Sequence, residues 1–417
     1  MATTSADRIL SLDIIRGIAV MGIFSVNVVG MAMIENAYFY PPDYGFHSLG
    51  DRIMWAANFI LVDGKFRALF SILFGASTIL VIERGIAAGK KDWQVHYPRM
   101  LALLAFGLAH YYFLWWGDIL ANYALVGMIA FIFWRLQPKW LLIVAIAALA
   151  INYGPTVVLG GQQIAKYEAK RAPDATPEQR KSFDELMKEL FSSKEDLAED
   201  KQAHTTLPAH FESIVENEPM RPFQSVPGYG LETLGLMLLG MAGYKTGFLT
   251  GGWRRKRYAL VAAVCIGASL VYFGIGASRI LAADFDPFTY FPWDQIYSGP
   301  FHPIAAIGYA ALIILLFPSR GVIADRIAAV GRAAFTNYLG ATIIGVIVFY
   351  EFGLGLYGDV SRGQAWLFAP VVWALMLLWS KPWLDRFRYG PFEWAWRSLS
   401  RWHWEPMRRK PLEAPAA

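Results

Sequence analysis

The strongest constraint on this chain is a series of apolar stretches, each about 20 residues long, the length a helix needs to cross a hydrocarbon core of roughly 30 Å. Ten stand out, near 12–34, 53–83, 98–116, 119–135, 139–160, 228–249, 257–281, 301–318, 333–352 and 364–380. In lipid a segment must satisfy its own backbone hydrogen bonds, and an apolar run of this length does so as a helix. The expected fold is therefore all-α, a polytopic integral membrane bundle of about ten transmembrane helices. Composition agrees: of 417 residues, 56% are hydrophobic and 17% charged, against roughly 45–50% apolar and about 25% charged in soluble domains. Trp (16) and Tyr (20) are abundant, as suits rings at the two membrane–water interfaces. Cys265 is the one cysteine, which excludes an intrachain disulfide and a CxxC metal or redox motif.

The first two spans both carry charge. The first holds Asp13 and Arg16, lacks a clear small-residue cleavage site and is followed by further spans, so it reads as a retained helix and not a signal peptide. The second has Asp63, Gly64, Lys65 and Arg67 in its middle and is expected to be broken or re-entrant, a form tolerated where backbone is buried in protein or lines a wet cavity.

Lys and Arg give the orientation, because cytoplasmic segments carry the positive excess. With both termini cytoplasmic, the inside segments hold 23 Lys/Arg and the short outside loops only Arg52 and Arg362. The net charge of +5 thus reports topology, and nucleic-acid binding is not needed to explain it. The expected organisation is an N-terminal bundle over 1–160, an extracytoplasmic insertion over 161–227, a C-terminal bundle over 228–380 and a cytoplasmic, Trp-rich tail over 381–417. Within the insertion, Thr176-Pro177-Glu178-Gln179 reads as a capped helix start, followed by Phe183, Leu186, Met187, Leu190 and Phe191 at helical spacing. A shorter second helix is suggested by Leu207, Phe211, Ile214 and Val215.

Ionisable groups inside spans are costly and mark functional candidates. Toward the outer half lie Asn27, Asp63, Lys65, His110, Asp118, Glu232 and His302, with His47 in the first outer loop. Asp13, Arg16, Arg332, Thr336 and Asn337 form an inner group. A neutral imidazole is well matched to proton transfer near pH 7, which ranks His110 first as a general base. Plainer roles compete: Asp13 and Arg16 at i, i+3 also fit a helix-end ion pair, and Lys65 and Arg67 also fit neutralisation of Asp63. His96, His204, His210 and His403 lie in polar segments and receive no role.

These residues sit in recognisable company. Ser11-Leu12-Asp13-Ile14-Ile15-Arg16-Gly17, Leu69-Phe70-Ser71-Ile72-Leu73-Phe74-Gly75, Gly107-Leu108-Ala109-His110 and Trp116-Gly117-Asp118-Ile119-Leu120-Ala121-Asn122-Tyr123 resemble the YeiB-like bacterial membrane proteins of the DUF418 family. So do Gly331-Arg332-Ala333-Ala334-Phe335-Thr336-Asn337-Tyr338 and Gly390-Pro391-Phe392-Glu393-Trp394. The amino-terminal half is in turn similar to the transmembrane acyltransferases that include heparan-glucosaminide acetyltransferase. That resemblance implies an acyl group, acetyl in particular, carried from cytoplasmic acyl-CoA to an extracytoplasmic saccharide-like acceptor, with no metal, in the bacterial inner membrane. Residues and resemblance together give His110 or His47 as the catalytic base, Asp63 or Asp118 as the carboxylate that orients the imidazole, Asn27 as the oxyanion donor, and contacts to the acyl-CoA from Asp13, Arg16, Lys65, Arg67, Arg332 and Asn337. A homodimer is left open. The rival readings are a transporter or proton-coupled carrier of a small solute, and a structural or lipid-binding protein without turnover.

Overall fold

A computed structural model describes residues 9–172 and 175–409. Helix α1 (Leu10–Ala32) leads through the short α2 (Glu35–Phe39) to α3 (Leu49–Leu61), α4 (Lys65–Ala87), α5 (Asp92–Phe113), α6 (Leu120–Ala130) and α7 (Pro138–Arg171). The polar insertion folds as α8 (Pro177–Leu190), α9 (Lys194–Ala203) and α10 (Leu207–Asn217). Helices α11 (Arg221–Lys245), α12 (Arg255–Ala282), α13 (Pro287–Phe291) and α14 (His302–Leu316) follow. The chain closes with α15 (Val322–Arg332), α16 (Ala334–Phe349), α17 (Arg362–Trp366), α18 (Phe368–Arg386) and α19 (Pro391–Arg401).

The protein is a helical, multi-pass membrane protein. Among the described residues, six segments are long and apolar enough to cross a bilayer, and the pair α15–α16, bent by 78°, would make a seventh. Of the remaining expected spans, α6 has only 11 residues, while α5 and α11 hold polar, Gly and Pro residues that lower their apolarity. Ile143, Ile146 and Ile151 of α7 and Leu260, Val264 and Val271 of α12 are exposed, as lipid-facing side chains must be. The second span is indeed broken. Val62 leaves helical geometry and Gly64 takes φ +68°, which only glycine adopts without strain, so α3 ends and α4 starts afresh.

The insertion departs from expectation. Thr176 caps α8 in the expected capping box, but three helices form in place of two, because Ser193 and Asp196 cap the additional α9. The side chains of Leu186, Met187 and Leu190 lie outside the described residues. The expected boundaries at 161 and 228 fall inside α7 and α11, so the insertion is continuous with two bundle helices. Nor is 381–417 a separate tail over its described part. Helix α18 runs on to Arg386, and α19 packs back onto the bundle, where the Trp396 indole donates to the Arg99 carbonyl at 2.8 Å.

Helix α11 packs between α4, α6 and α7, and α1 packs against α15, α16 and α4. Glycine permits the closest crossings. A Cβ on Gly75 of α4 would stand 1.9 Å from the Met237 carbonyl oxygen, and one on Gly240 of α11 would stand 1.8 Å from that of Ile72. Close backbone approach of this kind drives helix association in lipid, where apolar burial gives no net advantage. Contacts place the start of α1 and helix α19 beside the α15–α16 bend, through Arg16 with Gly331 and Glu393 with Thr336. The insertion sits at the other end, where Ser192 donates to Asp43 and the Tyr111 hydroxyl to the Glu218 carbonyl.

Candidate functional site

The site is built on the corner between α5 and α6. His110 occupies the last turn of α5, and the backbone amides of Leu114 and Trp115 both close onto its carbonyl, ending the helix. Trp115, 1% exposed, then pins the corner to α1 by donating from its indole to the Gly30 carbonyl at 3.0 Å. The chain turns back directly over that indole. A Cβ on Gly117 would lie 2.3 Å from the Trp115 ring, so glycine alone allows the turn, and Gly107 likewise lets the α6 backbone approach α5.

This turn delivers Asp118 to two tasks. Its Oδ1 accepts the Ala121 amide at 2.8 Å, one of the free donors at the start of α6, where the helix dipole also favours a carboxylate. Its Oδ2 lies 2.8 Å from His110 Nδ1, and both side chains are 1% exposed. Because an ionised carboxylate only accepts, it places the imidazole proton on Nδ1 and leaves Nε2 bare when the ring is neutral. Nε2 lies 3.0 Å from the hydroxyl of Thr342 on α16. The result is a buried chain of acid, imidazole and hydroxyl that joins three helices.

Thr342 also lines a small cavity between α1 and α16 together with Asn27, Tyr338 and apolar residues. The cavity measures about 10 Å³, space for about one water. Asn27 forms no side-chain hydrogen bond among the described residues. The Tyr338 hydroxyl is buried beside the Ile119 backbone and donates to no acceptor among the described residues, its ring 5.3 Å from that of His110. One turn into α6, Asn122 donates to Ser225 at 3.1 Å while its side-chain oxygen is buried with no partner among the described residues. Asn27 and the His110 chain therefore converge on one place.

Asp63 does not join them. It lies at the α3–α4 break, in an electrostatic neighbourhood of Tyr38, Asp294 and Arg362, and Asp118 is the carboxylate that orients His110. Lys65, fully buried, donates to the Phe59 carbonyl at 2.7 Å and the Asp63 carbonyl at 3.1 Å, and its ammonium lies 3.3 Å from the Phe273 ring centroid. It thus caps the end of α3, where a cation suits the dipole. Arg67 pairs with Glu232 of α11 at 2.9 and 3.1 Å. His47 is exposed just before α3, where its backbone amide donates to Asp51 at 3.0 Å.

The inner group gathers at the α15–α16 bend. Arg16 reaches Asp13 at 3.1 Å, Ser77 at 2.7 Å and the Gly331 carbonyl, next to Arg332, at 3.4 Å. The helix-end ion pair is therefore formed. Asn337 donates to the Val330 carbonyl and to Ser380 and accepts from the Trp379 indole, bracing the bend. Glu393 of α19 accepts the amides of Phe335 and Thr336 and the Thr336 hydroxyl, capping α16 from outside its own sequence. Sequence reading assigned no role to Thr342 or Glu393. Both are visible only as a residue one turn beyond, or within, the quoted segments.

A third cluster was not anticipated. His204 and His210 of the insertion, 6% and 2% exposed, pack against Tyr350 and Tyr357 of the α16–α17 connection. Tyr357 donates to Asp200 at 2.5 Å. Burial holds both histidines below their ordinary pKa, His210 at about 3. Among the described residues, no group of three or more His, Cys, Asp or Glu is arranged to hold a metal ion.

Fold and site together define an integral membrane protein with a buried acid–histidine–hydroxyl chain at a helix corner. A family model described as a protein of unknown function (DUF418) matches residues 243–403. The chain is 30% identical to the uncharacterized protein YeiB of Escherichia coli (strain K12), over 94% of this chain and 96% of that one. It is 29% identical to the uncharacterized protein YxaH of Bacillus subtilis (strain 168), over 98% of each. The chain belongs to the YeiB-like DUF418 family. No solved structure matches it.

Proposed function

We propose that the protein is a membrane-bound acyltransferase that moves an acyl group, acetyl in the simplest case, from cytoplasmic acyl-CoA to a saccharide-like acceptor outside. The observation that carries this reading is the oriented imidazole: His110 Nδ1 on Asp118, Nε2 on a hydroxyl, beside a cavity lined by Asn27. A base held in this way takes a proton from an attacking hydroxyl or amine, and an amide or phenol donor nearby stabilises the oxyanion that forms. The reading takes both termini as cytoplasmic, about ten crossings of the bacterial inner membrane, and the insertion as external, in keeping with the 23 Lys/Arg on one set of segments. The donor's phosphates then meet the basic end of the bundle. There Arg16 and Arg332 adjoin the bend, and Arg99 stacks 4.3 Å from the Trp396 ring, which itself packs 5.7 Å from Phe335. Arginine suits phosphate recognition at such a place.

The test is a binding measurement with acetyl-CoA on the purified full-length protein. Saturable binding, followed by acetyl transfer to an added sugar amine or alcohol, is the expected result. A second reading draws on the break between α3 and α4, where Asp63, Lys65 and Asp294 surround interrupted backbone as in many carriers. Movement of a solute or proton across proteoliposomes, with no acetyl-CoA bound at millimolar concentration, would decide for that carrier.

A further inference from the structure

The acyl-transfer reading leaves open whether the acceptor attacks the thioester directly. We propose that Thr342 is the nucleophile of a two-step transfer, holding the acyl group as an ester on its Oγ1 before an acceptor takes it; this rests on the acyl-transfer reading above. Three observations converge on Thr342. Its hydroxyl is 3.0 Å from His110 Nε2, and His110 Nδ1 is 2.8 Å from Asp118, the linear order of an activated hydroxyl with its base and the base's orienting group. The Asp118 carboxylate can only accept, so Nε2 of the neutral ring accepts the proton of Thr342 at 3.0 Å, nearer than the Tyr338 carbonyl, the hydroxyl's other acceptor, at 3.4 Å. Lastly, Thr342 shares its cavity with Asn27 and Tyr338, and the buried Tyr338 hydroxyl, beside the Ile119 backbone, donates to no acceptor among the described residues.

That orphan group separates a reactive site from a structural brace. Buried polar atoms are nearly always paired, so a brace that leaves a phenol unsatisfied beside it is poorly built, whereas an oxyanion site needs an uncommitted donor. The sole cysteine, Cys265, lies on α12 and not at this corner.

The chemistry balances without a further reactant. Thr342 Oγ1 attacks the thioester carbonyl carbon as its proton passes to His110 Nε2, and the oxyanion is met by Asn27 and Tyr338. The carbon–sulfur bond breaks, the departing sulfur takes the proton from His110, and free CoA leaves with an ester on Thr342. An acceptor hydroxyl or amine then attacks that ester, giving its proton to His110, which returns it to Thr342 Oγ1. A cavity of about 10 Å³ admits about one water, so the acyl group enters as the wall moves. Met31, unbranched and flexible, forms part of that wall, which favours a short acyl chain.

The experiment incubates the purified full-length protein with radiolabelled acetyl-CoA and no acceptor, then maps the label by peptide mass spectrometry. The expected result is release of CoA in step with one acetyl group on Thr342. Thr342→Val, close in shape, should still bind acetyl-CoA but lose labelling and transfer by at least about 100-fold, while Thr342→Ser restores both. Transfer by Thr342→Val at the wild-type rate, or label on another residue, overturns the proposal and leaves acyl transfer standing. Failure of the wild type to bind acetyl-CoA overturns both. A Thr342→Val protein that does not fold is replaced in the comparison by Thr342→Ser, whose labelled serine ester is then the required observation.

Discussion

The α15–α16 bend and the α5–α6 corner are both sharp turns of backbone held by buried polar side chains, yet they are finished differently. At the bend, Asn337 and Glu393 leave none of their polar atoms unpaired, and what they bind is backbone, a hydroxyl or an indole that fixes the angle. At the corner, Asp118, His110 and Thr342 form an equally tidy chain, but among the described residues the Tyr338 hydroxyl has no acceptor and the Asn122 side-chain oxygen no donor. A low-dielectric interior makes such orphans costly. The difference teaches that intramembrane polarity alone does not mark a reactive site; incomplete pairing next to an oriented base does.

Substitution should expose this division, and its largest effect belongs at the corner. His110→Ala is expected to lower acetyl transfer by about 10²–10⁴ while acetyl-CoA still binds, measured as rate and affinity on the same preparation. An unchanged rate would reduce the corner to a second brace. At the bend, Glu393→Ala strips the acceptor from two amides and one hydroxyl. Leaving a buried donor unsatisfied costs about 1–3 kcal/mol, so a lower thermal midpoint in detergent is expected, with transfer per folded molecule retained. Should Glu393→Ala instead abolish transfer at unchanged stability, the contrast between the two turns would collapse.

How much of this was legible in the sequence follows from the distance over which each feature is determined. Helices announce themselves locally, and so did the break at Gly64 and the cap at Thr176, because glycine and a capping box act within a few residues. His110 and Asp118 lie eight positions apart on either side of one turn, so their pairing was within reach of sequence reasoning. Asp63 was an equally plausible orienter there, since nothing in a sequence tells which way the segment after a helix break will face. Thr342 joins His110 across 232 positions, and Glu393 joins Thr336 across 57. Pairings of that kind depend on how whole helices pack, which periodicity does not encode. The insertion histidines were passed over for a related reason: their segment is polar in composition, and its burial arises only on docking.

That docked insertion gives a third region against which to sharpen the comparison, with an intermediate effect expected. Burial lowers the pKa of His204 and His210 in the folded state, the latter to about 3 with the nearby His204 adding to it. The facing titratable groups are Asp200, Tyr350 and Tyr357. Neutral histidines therefore hold the contact: their contribution is fully present above the free-histidine pKa of about 6.5 and is lost as pH falls toward the folded values. Burial raises Asp200, which works in the opposite sense and restores part of the contact at the acid end. Hydrogen-exchange protection in α9 and α10, corrected for the pH dependence of the intrinsic rate, should fall between about pH 7 and about pH 5, and His210→Phe should flatten that fall. Protection independent of pH would show that the histidines do not hold the contact.

The smallest effect belongs to the rim of the same contact, where Lys201 meets Asp359 at 3.3 Å with side chains 45% and 65% exposed. Such a pair is screened by solvent and salt, and holding a long lysine side chain in one geometry offsets much of its Coulomb gain. Exposed pairs contribute about 0–1 kcal/mol. Lys201→Ala should accordingly leave hydrogen exchange in α9 and the thermal midpoint nearly unchanged at physiological salt. This is a demanding control, because Lys201 adjoins Asp200, whose carboxylate accepts from Tyr357 in the buried part of the contact. A large loss of protection in Lys201→Ala would mean that rim charge, and not the buried histidine and tyrosine rings, fastens the insertion, and the pH dependence would then have to follow Asp359 and not His204 and His210.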